Sequence, residues 1–97
     1  MQKDYILSVL KETMYEHMPD PGNGIKDTYF ETLSYRKWAI DEAIAYVYKS
    51  DLDVSSALCE LGTKAFKYSS FNKKSSIIFK EVWDVTIEMR EILRAME

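Results

Sequence analysis

The stretch Ile78-Phe79-Lys80-Glu81-Val82-Trp83-Asp84-Val85-Thr86-Ile87-Glu88-Met89-Arg90-Glu91-Ile92-Leu93-Arg94-Ala95-Met96 decides the fold class. Within it Ile78, Val82, Val85, Met89, Ile92 and Met96 follow one another at alternating steps of four and three. Lys80, Glu81, Asp84, Glu88, Arg90, Glu91 and Arg94 fill the gaps. An apolar residue every three or four places draws one stripe along a helix, whereas a strand would place every second residue on a face. Such a stripe has to be buried against another element, and the class that follows is all-α, helix packed on helix.

Working outward, the same spacing recurs. A first helix is expected over residues 3–17, with Ile6, Leu7, Leu10, Thr13, Met14 and His17 on one face and Ser8, Lys11, Glu12 and Tyr15 turned away. Pro19-Asp20-Pro21-Gly22-Asn23-Gly24 ends it, because a residue before proline avoids the α region and Gly and Asn accept left-handed backbone. Residues 25–33 are rich in mediocre helix formers (Thr28, Tyr29, Phe30, Thr32) and read as an extra short helical or extended element. A second long helix is expected over 34–50, its stripe Leu33, Ile40, Ile44, Val47 and Tyr48. Asp51-Leu52-Asp53 breaks it, and Asp53 is well placed to cap a third helix bearing Val54, Leu58, Leu61, Ala65 and Tyr68 on one side. Residues 69–75 form a polar linker, with Asn72 or Ser75 as cap of the last helix. Four amphipathic segments with short connections predict one domain, residues 1–97, folded as a compact four-helix bundle.

Composition agrees. The chain is 46% hydrophobic and 30% charged, apolar enough to fold and polar enough to stay dissolved, and its three glycines and two prolines are too few for the turns of an all-β domain. The single cysteine, Cys59, excludes an internal disulfide, and Met1-Gln2-Lys3-Asp4-Tyr5 opens no signal peptide. No apolar run reaches the roughly 20 residues of a membrane span. The expectation is a cytoplasmic protein without a membrane partner.

The two tryptophans fall off the main stripes. At about 100° per residue, Trp38 lies opposite Ile40, Ile44 and Val47, with Tyr35 and Tyr46 near it, and Phe79 and Trp83 lie far round from Val85 and Met89. Either these helices are central and bury two flanks, or Tyr35, Trp38, Tyr46, Phe79 and Trp83 form an exposed aromatic patch for a protein partner or a second copy of the chain.

Catalytic and metal chemistry finds little to work with. One histidine and one cysteine cannot furnish a His/Cys metal set. Asp51-Leu52-Asp53-Val54-Ser55 begins like a calcium loop, but Ser56 stands where glycine is required. A nucleophilic site would have to pair His17 with Cys59 or with a serine. The simpler reading makes His17 a helix C-terminal residue and Cys59 a small packed hydrophobe. Glu81, Asp84, Glu88 and Glu91 read as a solvated acidic edge, since the Glu-x-x-His pattern of di-iron bundles is missing. No phosphate-binding glycine loop is present. The chain is expected to be no enzyme and to need no cofactor.

Charge is uneven. The net charge is −3, yet Leu61 to Lys80 holds Lys64, Lys67, Lys73, Lys74 and Lys80 and no acid, with Phe66, Tyr68 and Phe71 interleaved. Lys64, Lys67, Phe71, Lys73 and Lys74 together form a candidate patch for nucleic acid or an acidic partner; the alternative is a solvated linker. The lack of arginine there argues against reading of bases.

Tyr29-Phe30-Glu31-Thr32-Leu33-Ser34-Tyr35-Arg36-Lys37-Trp38-Ala39 and Ser76-Ile77-Ile78-Phe79-Lys80-Glu81-Val82-Trp83-Asp84 resemble small uncharacterised all-helical proteins of Firmicutes and their mobile elements. The resemblance implies a bacterial cytosolic origin and brings no catalytic residue. No motif assigns an activity. The expected role is a non-enzymatic helical protein–protein interaction module, with a homodimer as one form of it. The alternative is a nucleic-acid-associated accessory protein using the basic–aromatic segment 64–80.

Overall fold

The structure, a computed structural model, describes residues 2–18, 27–69 and 73–96, with side chains for 2–18, 34–68 and 78–96. Four helices follow in order: α1 Lys3–Glu16, α2 Asp27–Lys49, α3 Val54–Ser69 and α4 Lys73–Met96. No strand occurs among the described residues. The predicted all-α four-helix bundle is the fold.

The largest departure from expectation is the start of α2. Residues 27–33 do not form a separate element but the first turns of one continuous helix. Weak helix formers are tolerated there because extending an existing helix fixes one residue per added hydrogen bond, whereas a new helix needs its own costly nucleus. Ile25 lies outside the described residues, as does the proposed cap Asn72; Ser75 lies inside α4.

Leu7, Leu10 and Met14 of α1, Ala39, Ile40, Ala43 and Val47 of α2, Val54, Ala57, Leu58 and Ala65 of α3, and Val82, Val85, Met89 and Leu93 of α4 make one continuous core. In α4 the predicted Val82, Val85 and Met89 are its centre, while Ile78, Ile92 and Met96 sit at the edges and Leu93 replaces them. In α2 the buried line is turned toward Ala39 and Ala43, which leaves Tyr48 64% exposed. Tyr68, expected on the buried side of α3, is likewise exposed.

α3 and α4 pack antiparallel and closest of all, with Gly62 facing Thr86, Phe66 facing Trp83 and Tyr68 facing Phe79. Gly62 makes this approach feasible: a Cβ there would stand 2.7 Å from Thr86 Oγ1. The buried Thr86 hydroxyl is satisfied within its own helix, donating to Trp83 O at 2.7 Å. α1 runs antiparallel to α2. Lys3 Nζ donates to the carbonyls of Val47 (3.2 Å) and Ser50 (2.6 Å), closing the C-terminal end of α2 where free carbonyls and the dipole favour a cation. Farther along, Tyr15 is half-buried rather than turned away, and its hydroxyl donates to Asp41 Oδ1 at 2.8 Å. At the start of α3, Asp53 Oδ1 accepts the Ser56 N–H at 3.2 Å, the cap expected there.

Candidate functional site

A groove of about 350 Å³ runs between α2, α3 and α4. Its geometry follows from helical spacing. Trp38, Ala45 and Lys49 succeed one another on one face of α2, Leu61, Ala65 and Tyr68 on α3, and Phe79 and Val82 on α4. The floor is Leu61, Ala65 and Val82, and Ala45 stands on the α2 wall; the two alanines are too short to fill the space between three helices, and that shortfall is the groove. Trp38, Tyr46, Tyr68 and Phe79 stand along it. Trp38 is 44% exposed and Tyr68 is 52% exposed, while Phe79 is half-buried with its ring 5.6 Å from that of Tyr68. The tilted ring pair keeps a broad apolar surface in place at one end.

The rim is polar. The Tyr46 hydroxyl donates to Glu60, and Lys64 Nζ reaches the same hydroxyl oxygen at 3.0 Å and Glu60 Oε1 at 3.5 Å. This network lowers the Glu60 carboxyl below its ordinary range, chiefly through the bond from Tyr46, and raises the Lys64 ammonium, chiefly through its bond to the Tyr46 oxygen. Lys64 also stands 5.3 Å from the Tyr46 ring centre, a cation–π contact. Glu42 and Lys49 complete the rim on α2.

The structure thus splits the aromatic set expected from sequence. Trp38, Tyr46 and Phe79 meet in one groove, joined by Tyr68. Trp83 does not: it packs against the core on the other side of the α3–α4 pair, 5.3 Å from the Phe66 ring, in a cleft of about 300 Å³ with Cys59 and Arg90. Tyr35 is half-buried and lies outside the groove lining. Of the basic–aromatic set, Lys64 belongs to the groove rim and Lys67 is exposed on α3. Lys73 and Lys74 open α4 with side chains outside the described residues, and Phe71 lies outside them altogether.

A second arrangement was not expected. Arg36, with a side chain only 14% exposed, bridges from α2 to α4, donating to Glu81 Oε1 at 3.2 Å and to Glu88 Oε2. Two members of the supposed solvated acidic edge are therefore an interhelical clamp. The signal was available: Glu81 and Glu88 are two turns apart on one helix face, and such a pair beside a bundle seam calls for a cation from the neighbouring helix. The clamp borders a cleft of about 370 Å³ that includes Met14, His17 and Ile92. A larger and more open cleft, about 560 Å³, lies between α1 and α2 along Leu7, Asp41, Ile44 and Tyr48.

His17 closes α1, its Nδ1 2.8 Å from Thr13 O, and is exposed. Cys59 is exposed too, a correction to the packed position expected for it; its place on α3 faces away from Ala57 and Leu58. The two residues line different clefts, so the structure does not bring them together as a nucleophilic pair. Among the described residues, no three His, Cys, Asp or Glu side chains converge as a metal set, and no helix is long and apolar enough to cross a membrane. Comparison with protein-family models, with curated proteins and with solved structures finds no match to this chain.

Proposed function

We propose that this protein is a helical interaction module that binds another protein in the groove between α2, α3 and α4, and acts by that binding rather than by catalysis. The observation that supports it is the 44% exposure of Trp38 at the edge of a depression with an apolar floor. The part of the indole left in water adds nothing to the stability of the fold. At a protein contact the same ring supplies large area for little lost entropy, and tryptophan and tyrosine dominate binding hot spots. The polar rim of Glu42, Lys49 and Lys64 around an apolar centre is the ordinary anatomy of such a contact. The Firmicutes resemblance would place this activity in a bacterial cytoplasm.

Affinity capture from the source cell tests the proposal, using the parent chain, Trp38→Ser, Tyr68→Ser and Tyr5→Ser. Tyr5 is exposed at least as far as either but lies on α1, away from the groove. A protein retained by the parent and by Tyr5→Ser is expected to be lost with Trp38→Ser and Tyr68→Ser. Binding should fall by more than about tenfold, as at a hot spot, with the helical circular-dichroism signal unchanged. Equal retention by all four chains would refute it.

The nucleic-acid alternative has less behind it. Lys64 already has its charge met by Glu60, and the overall charge is −3. Binding to DNA or RNA that falls steeply with added salt would revive it.

A further inference from the structure

We propose that the outward face of α2 pairs antiparallel with the same face of a second copy of this chain. Trp38, Asp41, Glu42, Ala45, Tyr48 and Lys49 lie on the side of α2 opposite Ile40, Ala43 and Val47, all three of which are fully buried. Ala45 and Lys49 border both the α1–α2 cleft and the α2–α3–α4 groove, so they form the crest of the helix between them. Two large rings flank that crest in water, Trp38 at 44% and Tyr48 at 64% exposure. The smallest side chain of the face, Ala45, sits beside the midpoint between Glu42 and Lys49, where two helices could come closest.

The charges select the partner. Glu42 and Lys49 are exposed, and neither side chain has an ion pair or hydrogen bond among the described residues. Asp41, by contrast, is already engaged by Tyr15 and lies 4.0 Å from Lys11. Glu42 and Lys49 are placed symmetrically about the point between Ala45 and Tyr46. Turning a second α2 end for end about that point sets Glu42 beside Lys49 of the partner subunit, twice over. A parallel arrangement would set like charge on like charge. A self-complementary patch of this kind is what a two-fold interface requires. From Trp38 to Lys49 the crest spans twelve residues, and its eleven helical steps of ~1.5 Å cover about 16 Å. That is short for an interface of standard size, about 800 Å² per partner, so the dimer is a weak one, formed in the micromolar range or above.

The inference goes beyond the groove reading, because it uses the crest of α2 and needs neither Tyr68 nor Phe79. Sedimentation velocity of the full chain, from micromolar to millimolar, tests it. The parent should dimerise with rising concentration. Glu42→Lys alone and Lys49→Glu alone should each weaken the dimer about tenfold, since each turns two attractive contacts repulsive. The double swap Glu42→Lys/Lys49→Glu should restore it. An equimolar mixture of the two single variants should associate more tightly than either by itself. Tyr68→Ser should leave the dimer intact even where it abolishes capture of another protein, which separates failure of one proposal from failure of the other. A monomer at every concentration, a dimer indifferent to the single reversals, or a double swap without rescue would each overturn the inference.

Discussion

Gly62→Ala tests the α3–α4 packing directly, because two effects of opposite sign meet at this one methyl group. Within a helix, alanine is favoured over glycine by about 1 kcal/mol, and by that measure alone the variant should be more stable. The new Cβ, however, would stand 2.7 Å from Thr86 Oγ1, closer than non-bonded atoms settle. The threonine cannot readily give way. It is 1% exposed, β-branched, and held by its bond to Trp83 O. Forcing a methyl into such a place costs about 1–3 kcal/mol. The packing term wins: the net loss is about 1 kcal/mol, or a fall in Tm of about 4–8 °C for a domain of this size. Thr86→Ala removes the obstructing oxygen and leaves Thr86 Cβ at 3.5 Å, ordinary contact. In that background Gly62→Ala should stabilise by up to about 1 kcal/mol, as helix propensity alone dictates. Chemical and thermal denaturation of the four chains measures this. A single Gly62→Ala variant that melts higher than the parent would show that α3 and α4 do not cross this closely, and would refute the reasoning.

Two further perturbations address other contacts. Arg36→Leu strands Glu81, whose side chain is only 19% exposed, without its cation; the expected cost is about 2 kcal/mol in urea denaturation, and adding Glu81→Leu should recover most of it. A loss below about 0.5 kcal/mol would mean that the clamp is too well solvated to matter. The Asp53 carboxyl is held below its ordinary range, first by its bond to Ser56. A depressed carboxylate contributes stability above its unfolded pKa, near 3.9, and that contribution is lost as pH falls through the lower folded value. Asp53→Asn keeps a neutral acceptor at the cap. Its acid melting curve should therefore fall less steeply than that of the parent below about pH 4. Superimposable acid limbs would count against the cap.

If the α2 crest and the adjoining groove both serve as contacts, Trp38 and Lys49 stand where they meet. Self-association would then compete with or adjust binding of another protein. The concentration at which capture is performed becomes a variable of the experiment, and the charge-reversal variants offer a monomer in which the groove can be studied alone.

Periodicity alone was enough for the helices and the class of fold. Steps of three and four in residues 78–96 select a helix whatever surrounds it, and Val82, Val85 and Met89 are buried as that spacing requires. Asp53 was legible as a cap because its bond to Ser56 is local. The rest depended on neighbours. Residues 27–33 are helical because a helix already runs on from them, which their own propensities do not record. Tyr68 and Tyr48 face water because Ala65, Ala39 and Ala43 carry the close contacts between helices, and a stripe counted by large side chains overlooks them. Trp38 and Trp83, indistinguishable as off-stripe residues, part company because one borders a three-helix groove while the other has Phe66 across a seam. Arg36 finds Glu81 and Glu88 only once α2 lies against α4. A helix periodicity is a property of one segment, read within a few residues. Which part of a helix surface meets another helix, and which is left to meet a partner, depends on how all four pack together.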